Sequence, residues 1–194
     1  GLVGSEMCIR DRNCAIAGSV AVCENGNYYN RFYFVHPDGA VQHYDKKHLF
    51  TFGGEHKRFT AGTERVVVNF RGVRILLEVC YDLRFPVWSR NLGDYDMILY
   101  VASWPTPRVD AWSALLRARA IENQCYVAGV NRMGTDPACE YSGGSAIIDP
   151  YGKTIAECPW GRESAVSADI DMEALQAFRK KFPVLDDADP FTLI

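Results

Sequence analysis

The stretch from Val73 to Asn131 limits this chain's fold more than any other. Apolar runs at Val73–Val79, Met97–Ser103 and Cys125–Asn131 read as buried strands. A short helix candidate, Pro86–Asn91, and a long one, Pro107–Gln124, separate them. In the long helix Trp112, Leu115, Leu116 and Ile121 fall on roughly one face. Upstream the pattern is one of hairpins. Cys14–Cys23 is a continuous small-apolar run, expected to be a strand buried on both faces. The turn signals Glu24-Asn25-Gly26-Asn27 and Pro37-Asp38-Gly39 separate it from strands at Tyr28–Val35 and Ala40–Tyr44. A charged, Gly-bearing loop, Asp45–Gly62, leads to a strand at Arg65–Phe70. Downstream come a polar loop at Arg132–Tyr141, strands at Ser145–Ile148, Thr154–Glu157 and Ala165–Ile170, and a helix at Met172–Lys181. Hairpins followed by strand–helix–strand alternation predict a mixed α/β layered fold in a single domain.

Composition narrows the function. With 48% hydrophobic residues in 194, the chain can bury a sizeable core. Lys and Arg number 21 against 24 Asp and Glu, so no broad basic field exists for a nucleic-acid partner. No apolar run approaches the roughly 18 residues of a membrane span. The seven cysteines never form a C-x-x-C pair, which argues against a zinc knuckle, and no metal site is expected. They read as reduced thiols of a cytoplasmic protein. Gly-rich phosphate loops, a dinucleotide fingerprint and H-E-x-x-H are absent from the sequence. Residues 1–12, GLVGSEMCIRDR, back-translate to DNA resembling the end of a transposon-based sequencing adapter. They are read as non-native, leaving 13–194 as the domain.

Cys80 stands out among the thiols, because it ends the strand RILLEVC just before a short helix candidate. Such a position projects a side chain from a sheet edge into a crevice, where helix amides favour a thiolate and an oxyanion. Position alone is equally compatible with a buried, inert cysteine. A nucleophilic thiol needs a nearby base or cation. Lys46, Lys47, His48 and Glu55 in the 45–62 loop are candidates, as is a solvated loop with no such role. His48 is open to two readings, the base of a Cys–His pair or a hydrogen-bonded structural group. Trp104-Pro105 ends the next strand and suits a pocket wall or plain packing. Arg119 and Glu122 can pair across one turn of a helix read first as scaffold, with Glu122 touching the site as the alternative.

Three segments taken together carry a resemblance: Tyr44–Phe50 (YDKKHLF), Val79–Pro86 (VCYDLRFP) and the helix LLRARAIENQCYV. In that order and spacing they resemble the nitrilase, or carbon–nitrogen hydrolase, superfamily. Ala102-Ser103-Trp104-Pro105 with Arg108, and AGVNR at 128–132, look most like its omega-amidase branch. The resemblance implies a four-layer α-β-β-α sandwich, here expected to lack its N-terminal strand and helix, and a homodimer formed through the helices beside the nucleophile. It implies Cys80 as nucleophile, Lys46 as the catalytic lysine and Glu55 as the assisting glutamate. A further glutamate, the family's general base, has no counterpart in residues 13–194, so this chain alone is expected to turn over little or no substrate.

The chemistry so implied is two-step hydrolysis of a short dicarboxylate monoamide such as 2-oxoglutaramate or 2-oxosuccinamate, through a cysteine thioester, with release of ammonia. Lys46 and the Tyr81 N–H would hold the oxyanion, and Arg84 the distal carboxylate, beside Trp104. Water is the only co-substrate, and no cofactor is needed. Three alternatives stand beside this reading. They are another carbon–nitrogen hydrolase acting on carbamoyl groups or deaminated glutathione, a Cys80–His48 thiol hydrolase, and a non-catalytic oligomerising or binding protein.

Overall fold

The computed structural model describes residues 12–192; residues 1–11, most of the segment read as adapter-derived, lie outside the described residues. Three antiparallel strands, β1 (Ile16–Glu24), β2 (Asn27–Val35) and β3 (Val41–Asp45), make one sheet in that order. Six more make the second: β4 (Val67–Phe70), β5 (Val73–Val79), β6 (Met97–Ala102), β7 (Tyr126–Asn131), β10 (Ala146–Ile148) and β11 (Thr154–Glu157). Their spatial order is β11-β10-β7-β6-β5-β4. β5, β6 and β7 run parallel, joined by crossovers containing helices α1 (Pro86–Ser89) and α2 (Val109–Glu122). A two-stranded hairpin, β8 (Met133–Thr135) with β9 (Glu140–Ser142), follows β7. Helix α3 (Met172–Lys181) closes the described fold, with Asp171 capping it by accepting the Ala174 N–H at 2.8 Å.

The central strands are buried on both faces, and their alternation sorts side chains into two cores. Ile75, Leu77 and Val79 of β5 join Met97, Tyr126 and Ala128 against Phe32, Phe34 and Tyr44 of the first sheet. Leu76, Ile98, Tyr100 and Val127 point the other way, onto Trp112, Leu116 and Ala120 of α2. This period-two division is why the strands read as continuous apolar runs. The helix lies very close to β7. A Cβ built on Gly129 would stand 2.6 Å from Leu116 Cδ1 and 2.8 Å from Trp112 Cζ2, so any side chain there would have to displace these two buried residues. Among the described residues the layers run sheet, sheet, helix, the α/β arrangement expected.

Four expectations need correction. Cys14–Cys23 is not buried on both faces. β1 pairs only with β2, so it is an edge strand, and Val20 is 54% exposed. Ala165–Ile170 has no regular structure, because no described strand lies beside it to complete a ladder. The polar stretch Arg132–Tyr141 is not all loop; it holds β8 and the start of β9. Ile121 leaves the buried face of α2 and is half-exposed, its side chain covering Gly152 on the β10–β11 turn.

Candidate active site

Where β5 ends, the backbone turns sharply. Cys80 has φ of +49°, a left-handed conformation costly for a residue with a side chain. A 3-10 turn, Cys80–Arg84, follows at once. The first N–H groups of such a turn have no acceptor within it. Buried Asp82 holds the bend together. Its Oδ2 accepts the Val79 N–H at 3.0 Å and the Tyr44 hydroxyl at 2.8 Å. Its Oδ1 accepts the His48 N–H at 2.9 Å and lies 2.8 Å from His48 Nδ1. The strand end, the β3 exit loop and the first sheet are thereby tied at one carboxylate.

The turn opens on a cavity of about 540 Å³ lined by Lys46, Glu55, Cys80, Tyr81, Arg84 and Trp104, among others. The six residues to which the resemblance gives a role thus meet in one place, while Lys47 is not among the lining residues. Lys46 is buried, and its Nζ donates to Glu55 Oε2 at 2.7 Å. The same oxygen accepts the Phe50 N–H at 2.6 Å, while Oε1 accepts from Asn30 Nδ2 at 3.2 Å. Both Glu55 oxygens are therefore engaged. Burial pushes this carboxyl up, but the Lys46 charge and these bonds bring it below its ordinary value. Glu55 is the only carboxylate lining the cavity among the described residues. Burial likewise pushes the Cys80 thiol up, more than the Lys46 charge pulls it down. Its Sγ reaches the Ser103 carbonyl at 3.9 Å.

His48 does not line the cavity. Its ring stacks on Phe85, centroids 3.8 Å apart, with Nδ1 turned to Asp82. Of the two readings left open, this geometry fits the structural one. Glu122 also stays outside, paired with Arg119 at 2.8 Å, as a scaffold residue would be. Arg84 does not pair with Asp82; its guanidinium lies over the Trp104 ring, 5.0 Å from the centroid. The Trp104 backbone is fixed by Asn131, whose Oδ1 accepts the Trp104 main-chain N–H at 2.7 Å. The sequence reading gave no site role to Asn30, which carries no motif, or to Asn131, which lies in the AGVNR string; both reach the site through tertiary contacts.

A carbon–nitrogen hydrolase family profile matches residues 5–180 of the chain. The chain belongs to this family. The Escherichia coli K12 protein named omega-amidase YafV is 54% identical over 182 residues, 93% of this chain and 71% of that protein. A Bacillus subtilis 2-oxoglutaramate amidase is 43% identical over 176 residues, 89% of this chain and 67% of that protein. Among solved structures, a carbon–nitrogen hydrolase superfamily protein of Xanthomonas campestris superposes with a TM-score of 0.91 at 45% identity. The match covers 97% of this chain and 76% of that one, whose active site holds an arsenic adduct.

Behind the cavity floor of this carbon–nitrogen hydrolase lies a carboxyl that the sequence hid inside an apolar run. Glu78 is fully buried on the helix-facing side of β5, where Oε2 accepts the Ser89 hydroxyl at 3.0 Å and Oε1 has no partner among the described residues. Burial, then the nearby Asp82, pushes its pKa from 4.5 to about 8. A carboxyl raised on folding holds its proton in the native state after the unfolded chain has released it. Stability should therefore fall as pH climbs between those two values. Glu78→Gln, which mimics the protonated form, is expected to remove that fall. Urea midpoints of both proteins at about pH 5 and about pH 8 measure it. An unchanged pH slope in Glu78→Gln would show that Glu78 does not cause it.

Proposed function

We propose that the protein is an omega-amidase, hydrolysing the terminal amide of short dicarboxylate monoamides of the 2-oxoglutaramate or 2-oxosuccinamate type. The observation carrying this reading is a thiol on a strained strand end, in one cavity with buried Lys46 and its partner Glu55, in a chain 54% identical to a protein named omega-amidase. Resemblance to the 2-oxoglutaramate amidase supports the substrate class.

Cys80 Sγ attacks the amide carbon, giving its proton to a base, and the C=O π pair moves onto oxygen. Lys46 Nζ and the Tyr81 N–H hold that oxyanion; one such donor is worth roughly 3 kcal/mol of barrier. The intermediate then expels ammonia as the C–N bond breaks and its nitrogen gains a proton, leaving a thioester. Water adds to the thioester carbon, the C–S bond breaks, and the carboxylic acid and thiol are restored. Glu55, with both oxygens committed, positions Lys46 and accepts no proton from Cys80. The reading therefore needs a proton acceptor beyond the described residues that line the cavity. Arg84, on the face of Trp104, points a charge at the substrate end of the site.

The six described cysteines are all unpaired, which supports a reducing compartment, the cytoplasm. Exposed Val87 and Leu92, in and just after α1, support a homodimer formed on the helix side.

The test is ammonia release from 2-oxoglutaramate and succinamate by the intact gene product, beside carbamoyl amino acids and deaminated glutathione. Turnover of the first pair, with an acyl adduct on Cys80 seen by mass spectrometry, is the expected result. Preference for the other amides would move the protein elsewhere in the family. No adduct and no turnover of any amide would favour a non-catalytic role.

A further inference from the structure

The whole chain carries a net charge of −3, yet its cavity is strongly cationic. Four cations line it, Lys46, Arg84, Arg108 and Arg132, against the single carboxylate of Glu55. Two of the four are already committed. Lys46 is bound to Glu55, and Arg132 pairs with Asp136 at 3.5 Å while lying over the Tyr141 ring. Arg84 and Arg108 have no acidic partner among the described residues. Both rest instead on aromatic faces, Arg84 over Trp104 at 5.0 Å and Arg108 over Phe50 at 5.4 Å. An aromatic face orients a guanidinium without using up its N–H donors in the ring plane.

One residue couples the pair. The Trp104 ring that carries Arg84 also donates its indole N–H to the Arg108 carbonyl at 2.7 Å. Phe50, under Arg108, is tied through its own N–H to Glu55, and so to Lys46. The cation seat and the reaction centre are thus parts of one fixed frame.

We propose that Arg108, with Arg84, forms the seat for the substrate carboxylate remote from the scissile amide, and that Trp104 is the positioning residue setting both. Resting on the amidase reading, this makes Arg108 the group by which the protein prefers an anionic monoamide over a neutral amide of the same length. A carboxylate accepts two parallel N–H bonds from a guanidinium, a geometry that a lysine does not reproduce.

Calorimetric binding to the non-hydrolysing Cys80→Ala protein separates this from the reaction itself, with succinamate as the anionic probe and butyramide as the neutral one. Adding Arg108→Ala is expected to weaken succinamate binding by about 10–100-fold and to leave butyramide unchanged. Arg108→Lys should restore only part of the loss. In the protein with Cys80 intact, Arg108→Ala should raise KM for succinamate with little change in kcat. Equal weakening of both probes, or of neither, would overturn the proposal. Should Arg108→Ala not fold, salt dependence in the parent decides. Succinamate binding must weaken with added salt and butyramide binding must not, and a shared response overturns the seat. Failure of the amidase reading looks different: no ammonia from either amide, whatever the binding preference.

Discussion

In the same gene product that is tested for ammonia release, Lys46→Met is expected to lower kcat for 2-oxoglutaramate by about 10²–10³-fold, towards the background set by Cys80→Ala. Lys46 is buried, and its ammonium is fixed by one short bond to Glu55. A charge held that way, at the edge of a cavity that Cys80 faces, needs little reorganisation when negative charge develops on the substrate oxygen. Methionine keeps the stem and removes the charge, so the loss should fall on the transition state, with kcat and kcat/KM dropping together. Lys46→Arg is not expected to rescue, because a planar fork cannot replace a compact ammonium beside Glu55 in a buried site. A rise in KM with kcat unchanged would instead make Lys46 a ground-state binding group and overturn its oxyanion role. The same variant strips Glu55 of its cation, so the carboxyl should lose its downward shift and titrate higher.

How much of this was readable in the sequence depends on whether the signal was local. The β5 run, Val73–Val79, reads as a buried strand because its partners on both faces are apolar. Met172–Lys181 reads as a helix and forms over those residues, with its capping Asp171 adjacent in the chain. Cys80 and Lys46 fall within recognisable strings, Glu55 follows in the same loop as Lys46, and the fold brings all three to one cavity. Non-local facts were hidden. The apolar Cys14–Cys23 run says nothing about which neighbours cover it, and β1 turns out to be an edge. His48 lies 34 residues from Asp82, so neither position announces the other. Glu78 sits in RILLEV as its one acidic residue, and only the structure shows Ser89 and Tyr100 gathered around it. The cation seat is likewise assembled from three segments, around Phe50, Arg84 and Arg108.

Asp82→Ala should produce the largest loss of stability, about 3–5 kcal/mol. Asp82 is fully buried, with four donors aimed at it: the N–H groups of Val79 and His48, the Tyr44 hydroxyl and the His48 ring. Alanine removes the acceptor and leaves those groups unpaired in an apolar surround, with Leu83 and Trp88 also buried close by. His48→Ala deletes only one of these donors, while its backbone N–H still reaches the carboxylate, so its urea midpoint should fall much less. Because His48 stands outside the cavity, that variant should also keep its turnover, which a Cys80–His48 hydrolase would lose. The two substitutions therefore read different things at one site. If Asp82→Ala cost less than about 1 kcal/mol, the strained bend at Cys80 would have to be held by packing alone. A full loss, with Cys80 alkylating faster as the bend relaxes, would place the restraint on the thiol in this carboxylate.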